Sequence, residues 1–213
     1  MQRVARTGIL RSPISPLRPE PGSPGSPDGR QRRLATDSGC TVRPCTGKNG
    51  GMQSHPNVRA VQDALDAAQA RNGSAAPATV RLLPDAVHTA AAAAEALGVD
   101  VGAIANSLVF DADGAPLLVL TSGAHRVDTT GLAARLGITR LRRATPQFVK
   151  EHTGQVIGGV APVGHPQPLR TLVDNALDKY DEVWAAGGVP QAVFPTTYAE
   201  LLRITGGTPT DVA

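Results

Sequence analysis

Two apolar runs joined by a tight-turn signal constrain the fold of this chain more than any other feature. Residues 108–110 and 117–120 are apolar, and the stretch between them contains the pair Asp113-Gly114. An Asp-Gly pair between apolar runs is a strong β-hairpin signal, because the turn requires positive φ angles that these residues tolerate. The sequence therefore predicts two adjacent antiparallel strands in the buried part of the fold.

Short helices and further short strands surround this predicted hairpin. Helical spacing, caps and stop signals predict helices after Pro56, before Gly98, from Asp128 or Thr129 to Gly137, from Thr145 to Gly154, and after Thr197. Strand patterns lie at residues 78–84, 169–173, 182–185 and 192–194. Short strands mixed irregularly with short helices indicate a single α+β domain with a mixed sheet.

Residues 1–52 differ in composition from the rest of the chain. They contain 8 Gly and 7 Pro but no Phe, Tyr or Trp, so they bury too little apolar surface to offset the entropy lost on ordering. We therefore expect a disordered, low-complexity basic tail over residues 1–52 and a folded domain over residues 53–213. Met52 directly precedes the first helical pattern and is an alternative start of translation.

Positive charge is concentrated in this tail. Residues 1–52 hold 9 Lys and Arg against 3 Asp and Glu, which leaves 12 against 15 for residues 53–213. The predicted domain is mildly acidic, so DNA is not an expected partner and contact with RNA requires a local basic patch. The best candidate patch consists of Arg140, Arg142, Arg143 and Lys150. An ordinary solvent-exposed rim without an RNA partner would account for these residues equally well.

Several function classes lack their sequence signatures. No run approaches the roughly 18 apolar residues of a membrane span, and no secretory apolar core is present. Cys40 and Cys45 are the two cysteines and lie in the tail, so the predicted domain contains no cysteine nucleophile. The five histidines include no i, i+4 pair, so no metal site is expected. We expect a cytoplasmic protein without a membrane partner or a metal cofactor.

One glycine-rich segment is the strongest candidate for chemistry. The stretch TGQVIGGVAPVGHPQPLRTLVD covers residues 153–174 and interleaves glycines and prolines with Val156, Ile157 and Val160. The apolar residues favour an ordered, partly buried loop, although a flexible loop is the simpler alternative. Glycines allow a backbone to approach a ligand closely, and their N–H groups can then stabilise an oxyanion.

These residues carry a resemblance to a known family. The 153–174 segment, with IANSLVF upstream and VWAAGG downstream, resembles the YbaK family, which is related to the editing domain of bacterial prolyl-tRNA synthetases. The resemblance covers roughly residues 56–212. It implies a mixed, mostly antiparallel, barrel-like sheet with flanking helices. It also implies a trans-acting deacylase that hydrolyses the ester of a mischarged small amino acid on tRNA.

The resemblance further implies a set of partners and site residues. The substrate would be the 3′ end of an aminoacyl-tRNA, no cofactor would be needed, and association with an aminoacyl-tRNA synthetase stays open. The loop 158–162 would form the pocket wall, and the substrate's own hydroxyl or thiol would assist proton transfer. The implied catalytic residues are Asn106, Gly158 and Gly159, and the implied substrate-binding residues are Ser107, Thr121, Ser122, His125, Ile157, Val160, Pro162, Ala186 and Gly187.

One position departs from the family pattern. The family carries a lysine immediately before the hydroxyl residue of the strand, and Asn106 occupies that position here, followed by Ser107. An asparagine donates hydrogen bonds but brings no charge. Two hypotheses therefore stand: a deacylase that relies on Asn106 and the glycine loop, and a non-catalytic module that binds aminoacyl-tRNA ends or nucleotides. For Thr121, Ser122 and His125, the alternative to a substrate-binding role is an ordinary polar turn between a strand and a helix.

Overall fold

The computed structural model describes residues 55–72 and 78–213. The predicted disordered tail over residues 1–52, the start at Met52 and the cysteines therefore lie outside the described residues. Those described form one compact unit with a mixed α+β arrangement. None of their helices has the length and apolar character needed to cross a membrane.

Five α-helices and eight β-strands make up the described part of the chain. The helices are α1 (Pro56–Asn72), α2 (Ala90–Leu97), α3 (Thr129–Leu136), α4 (Pro146–Thr153) and α5 (Tyr198–Thr205). The strands are β1 (Arg81–Leu82), β2 (Ile104–Ala112), β3 (Ala115–Ser122), β4 (Leu141–Arg143), β5 (Arg170–Asp174), β6 (Val183–Ala186), β7 (Ala192–Thr196) and β8 (Thr208–Thr210). Short 3-10 helices span Val101–Ala103 and Asn175–Lys179.

The predicted hairpin is confirmed as the centre of the sheet. Strands β2 and β3 pair antiparallel from Ala105 opposite Ser122 to Ala112 opposite Ala115. Asp113 and Gly114 in the turn have φ angles of 52° and 93°, as the tight turn requires. The turn is also held from outside, because the Asp113 carboxylate accepts hydrogen bonds from two backbone N–H groups of the segment that leads into β4.

The remaining strands extend the sheet on both sides of this hairpin. The strand order is β1-β7-β6-β2-β3-β5-β8, with β4 also paired to β2. The β2–β6, β3–β5 and β5–β8 pairs are parallel, whereas the other four pairs are antiparallel. The prediction of a mixed, mostly antiparallel sheet in a single α+β domain is thereby confirmed.

Local capping chemistry explains where the short helices begin and end. Side-chain oxygens of Thr89, Asp128, Thr145 and Thr197 accept backbone N–H groups at the starts of α2 to α5. Each of these four helices ends at a glycine in the left-handed conformation. Glycine adopts this conformation easily because it has no Cβ atom to clash with the backbone. The stops at Gly98, Gly137 and Gly154 were predicted, whereas the stop at Gly206 was not. Of the two caps predicted for α3, Asp128 rather than Thr129 fills the role.

Apolar side chains on alternate residues bury both faces of the sheet. On one face, Val109, Leu118 and Leu120 pack with Val61 and Leu65 of α1, the α4 and α5 helices and the 160–161 loop. On the other face, two clusters form, one against α2 and one against Leu132 of α3. Successive side chains of a strand point to opposite faces, so β2 contributes apolar side chains to the clusters on both faces of the sheet.

Three features of the sheet differ from the sequence-based expectations. The strand predicted over 78–84 is confined to Arg81–Leu82, and the three-residue strands β4 and β8 were not predicted. Strand β2 begins at Ile104, so Asn106 and Ser107 lie within the strand rather than at its entrance. Short strands form through their partners and carry too few residues to show alternation.

A buried carboxylate joins the ends of the central strands. Asp174, which is only 1% exposed, ends β5. Its Oδ2 accepts hydrogen bonds from Ser122 N at 3.0 Å and Thr121 Oγ1 at 3.3 Å, and lies 2.9 Å from His125 Nδ1. Its Oδ1 accepts from Ala176 N at 3.0 Å. The carboxylate therefore satisfies four donors where β3 and β5 end together.

Replacing this carboxylate should destabilise the fold. We expect Asp174→Ala to lower the free energy of unfolding by about 3 kcal/mol, because buried donors lose their acceptor. Urea denaturation measures the change, and Asp178→Ala is the matched control, since Asp178 is exposed in the adjoining 3-10 helix. Equal stabilities of the two variants would contradict the structural role of Asp174.

Candidate active site

A gap beside β2 creates the main concave site of the described structure. Strand β2 pairs with β6 only at Ile104 and Ala105, and with β4 only from Phe110 onward. Within the described residues, no strand therefore pairs with Asn106, Ser107 and Leu108 on this side. An unpaired stretch in the middle of a sheet leaves both backbone and side chains accessible to a ligand.

A cavity of about 310 Å³, here called the main cavity, opens at this gap. Its walls come from β2, β6, β7, the start of α2, Arg143 of β4, and Ile157, Gly158 and Val160 of the glycine-rich loop, whereas Gly159 does not line it. Six of the predicted site residues line it: Asn106, Ser107, Ile157, Gly158, Val160 and Ala186. The fold thus brings residues that are about 50 and 80 positions apart in the chain into one cavity.

Two polar side chains of β2 in this cavity lack protein partners. Ser107 Oγ is buried and has no hydrogen-bond partner among the described residues. Asn106 is half-buried, and its amide makes no hydrogen bond with any described residue. An unsatisfied buried polar group costs about 1 to 3 kcal/mol, so such groups are retained where a ligand or water completes them. The β2 wall therefore offers two free hydrogen-bonding groups.

The glycine-rich loop turns tightly at its cavity-lining residues. Gly159 N donates to Val156 O at 3.0 Å, and Gly158 has a φ of 90°. The N–H groups of Gly158 and Val160 make no hydrogen bond within the described part of the chain. Of the two glycines predicted to be catalytic, Gly158 therefore retains a free donor, whereas the Gly159 N–H is used within the turn.

Close packing requires a glycine at position 159, and the positive φ favours one at position 158. A Cβ at Gly159 would lie 2.6 Å from Val189 Cα, inside the backbone of the β6–β7 connection. A Cβ at Gly158 would lie 3.1 Å from the Nδ1 atom of His88. The imidazole of His88, which also lines the main cavity, thus covers the loop from the segment before α2. Sequence reasoning missed His88, because only the tertiary contact distinguishes it from other histidines.

Buried polar contacts hold the loop from behind. Gln155 is 1% exposed, and its Oε1 accepts from Ala161 N at 2.7 Å. Thr153 Oγ1 accepts from Gln155 N at 3.0 Å, and His165 Nε2 lies 2.8 Å from Ala161 O. Because a carbonyl oxygen only accepts, His165 donates from Nε2. Gln155 was not predicted either, and no sequence pattern marks it as buried.

The other predicted site residues lie away from the main cavity. Thr121, Ser122 and His125 gather around Asp174, and Ser122 Oγ donates to Gly102 O at 2.8 Å. Pro162 lines a second cavity of about 280 Å³ behind the loop. Gly187 N donates to Ala192 O at 2.7 Å. These residues support the walls and the loop rather than lining the main cavity.

The predicted basic patch divides into residues with different surroundings. Arg142 donates from Nη2 to Asp111 Oδ2 at 3.0 Å. The pKa of the Asp111 carboxyl is lowered, mainly by the hydrogen bond from Gly114 N and further by Arg142. Arg143 is exposed, lines the main cavity, and forms no ion pair with any described residue.

The main cavity is otherwise free of permanent charge. Among its lining residues, only Arg143 is a Lys, Arg, Asp or Glu side chain. In residues 55–72 and 78–213, no three His, Cys, Asp or Glu side chains are grouped as a metal site requires. The donors available to a ligand are therefore amide, hydroxyl, imidazole, guanidinium and backbone N–H groups.

Comparison with known proteins assigns this arrangement to a family. A sequence profile described as the aminoacyl-tRNA editing domain matches residues 84–204, which include both walls of the main cavity. The chain belongs to this family. The resemblance noted from the glycine-rich segment and the IANSLVF stretch is thereby confirmed.

Individual relatives agree with this assignment. A crystal structure of a protein proposed to be a trans-editing enzyme for prolyl-tRNA synthetase is similar with a TM-score of 0.67 and 43% identity, covering 74% of this chain and 97% of that one. The uncharacterized protein YwhH of Bacillus subtilis is 32% identical over 51% of this chain and 69% of its own length. The proline--tRNA ligase of Levilactobacillus brevis is 35% identical over 42% of this chain but only 16% of the ligase.

The histidine behind the loop should make stability depend on pH. Burial lowers the pKa of His165 from its usual 6.5, against the opposing effect of the hydrogen bond to Ala161 O. Protonation therefore favours the unfolded chain. The stability that the neutral ring provides is full above pH 6.5 and is lost as the pH falls through the lowered pKa.

Urea unfolding of the wild type and of His165→Gln at about pH 7.5 and about pH 5.5 measures this effect. Glutamine retains a donor but does not titrate in this range. We expect the wild type to lose more stability than His165→Gln on acidification. Parallel losses in both proteins would show that His165 does not titrate as its burial requires.

Proposed function

We propose that this protein is a trans-acting aminoacyl-tRNA deacylase, which hydrolyses the ester between a mischarged small amino acid and the terminal ribose of a tRNA. The observation that carries this proposal is the unpartnered pair Asn106 and Ser107, which lines the same cavity as the free N–H of Gly158. Membership of the editing-domain family supports the substrate class. We place the reaction in the cytoplasm, where aminoacyl-tRNA is consumed.

Action in trans is supported by the extent of the similarities. The matching region covers 16% of the Levilactobacillus brevis ligase but 97% of the chain in the crystal-structure relative. A domain that forms most of a chain elsewhere functions without the synthetase body in the same polypeptide. Transient association with a synthetase is compatible with this proposal.

The proposed reaction adds water to an already activated ester. The water oxygen bonds to the carbonyl carbon, and the negative charge moves to the carbonyl oxygen. The tetrahedral intermediate then collapses, the ribose oxygen leaves and takes a proton, and the products are a free amino acid and a deacylated tRNA. One well-placed oxyanion donor contributes about 10²- to 10³-fold to such a reaction, so a site without a catalytic triad is sufficient.

Asn106 and the loop backbone supply the proposed oxyanion donors. The Asn106 amide has two N–H bonds and no competing partner among the described residues. The N–H groups of Gly158 and Val160 are also free within that part of the chain. Ser107 Oγ both donates and accepts, so it can hold the attacking water or pass a proton to the leaving oxygen. A hydroxyl or thiol of the substrate would assist the same transfer.

Cavity size and lining favour a small amino acid. The volume of about 310 Å³ must accept the ester, part of the ribose and the amino-acid side chain. Ala186, Val160 and Ile157 present apolar surface, and the packing of Gly159 against the Val189 backbone limits movement of the adjoining, buried Val160. In an apolar pocket, one methylene group more or less changes kcat/KM by only about 10- to 200-fold. Selectivity therefore comes from steric exclusion of larger side chains.

A panel of mischarged tRNAs tests the proposal directly. The protein should release at least one small amino acid from tRNA faster than the spontaneous rate, and larger cognate amino acids should be retained. If every ester hydrolyses at the spontaneous rate while a filter assay shows tRNA binding, the chain is a binding module rather than an enzyme. Gly159→Val, whose side chain would clash with the Val189 backbone, should displace the loop and abolish turnover.

Two serines of similar sequence context should behave differently. Ser107→Ala removes the free hydroxyl of the main cavity and should lower kcat by about tenfold, as expected for the loss of one hydrogen bond worth about 1.4 kcal/mol. Ser122→Ala removes a buried hydrogen bond to Gly102 O and should lower stability while kcat stays near the wild-type value. Single-turnover deacylation and urea denaturation measure the two effects.

The amide of Asn106 should contribute more than the serine. We expect Asn106→Ala to lower kcat by about 10²-fold through loss of an oxyanion donor. Asn106→Asp, which replaces the donor with a negative acceptor, should be at least as slow. An unchanged kcat in Asn106→Ala would remove this residue from the reaction.

A further inference from the structure

We infer that Arg143 binds the phosphate on the 5′ side of the terminal nucleotide and thereby positions the aminoacyl ester in the main cavity. This inference rests on the proposed function. Arg143 is the single Lys, Arg, Asp or Glu side chain among the described residues that line the cavity. It contributes as a positioning residue, because its charge acts on the tRNA backbone rather than on the scissile carbonyl.

Strand register places Arg143 on the side of the gap. Arg143 of β4 pairs with Phe110 of β2, while its neighbour Arg142 pairs with Asp111. Directly paired residues share a face, and successive residues alternate between faces. Arg143 therefore lies on the face of β2 that also carries Asn106 and Leu108, two residues of the cavity wall.

The neighbouring arginine provides a natural contrast. Arg142 is held by two hydrogen bonds to Asp111 Oδ2, at 3.0 Å and 3.3 Å. Arg143 is also exposed, yet its guanidinium forms no ion pair or hydrogen bond with any described residue. The two adjacent guanidinium groups thus differ in availability: one is engaged by the protein, and the other is free at the cavity.

The chemistry of the substrate identifies the group that Arg143 binds. An aminoacyl ester carries an ammonium group, which a guanidinium repels, and a phosphate on the ribose, which a guanidinium binds through its planar donor fork. With the ester against Asn106 and the glycine loop, the phosphate must lie toward the solvent-exposed rim. Arg143 is exposed at this rim, and no carboxylate lines the cavity to compete for it.

The experiment compares Arg143→Gln, Arg143→Lys and the control Arg142→Gln on two substrates. One substrate is the mischarged tRNA that the wild type hydrolyses, and the other is the same amino acid esterified to adenosine, which lacks the phosphate. On tRNA, we expect Arg143→Gln to raise KM about tenfold with kcat little changed, and Arg143→Lys to recover part of this loss. Arg142→Gln should stay within about twofold of the wild type.

The phosphate-free ester distinguishes an action of Arg143 on the phosphate from an action on the scissile carbonyl. Wild type and Arg143→Gln should hydrolyse aminoacyl-adenosine at the same rate. In addition, the slope of log affinity for tRNA against log salt should become shallower by about 0.7 in Arg143→Gln, as expected for one lost phosphate contact on a single strand. Arg142→Gln should keep the wild-type slope.

Three results would overturn the inference. Equal KM values for Arg143→Gln and Arg142→Gln on tRNA would show that Arg143 makes no contact. A matching loss of kcat on both substrates would place its charge at the carbonyl instead of the phosphate. An unchanged salt slope would exclude a phosphate contact even if the wild type hydrolyses no ester, in which case the proposed function fails separately.

Discussion

The register of the β2–β3 hairpin is the constraint on which the candidate site depends. Eight consecutive cross-strand pairs hold β2 along one side, so its residues cannot slip relative to the rest of the sheet. A slip of one position would exchange the two faces of the strand. Because β6 and β4 pair with β2 only at its two ends, the same register fixes which residues occupy the gap between them.

The opposite wall of the cavity depends on backbone packing rather than on side chains. Gly159 lies against the Val189 backbone, while Gln155 and His165 hold Ala161 from behind by its N–H and carbonyl groups. This packing leaves the Gly158 and Val160 N–H groups free beside the uncharged Asn106 and Ser107. These dipoles are oriented by the fold itself, as the proposed oxyanion stabilisation requires.

Sequence patterns were most reliable where the physical cause is local. The Asp113-Gly114 turn, the caps at the starts of α3, α4 and α5 and the glycine stops of α2, α3 and α4 depend on residues within a few positions of each other, and these were predicted. Strand β4, with three residues, and the buried Gln155 were not found, because their structure depends on partners about 30 and 6 residues away. The glycine-rich loop was predicted to form a site and contributes Ile157, Gly158 and Val160 to the main cavity, but the difference between Gly158 and Gly159 was not predicted.

The sequence by itself determined the hairpin, most of the helix caps and membership of the editing-domain family, since each is encoded in short motifs. Only the tertiary structure decided which similar residues are available to a ligand. Ser107 is free while Ser122 is bonded to Gly102, and Arg143 is free while Arg142 is paired with Asp111. The physical reason is that availability depends on strand pairing and long-range partners, which a residue's own neighbours in the chain do not reveal.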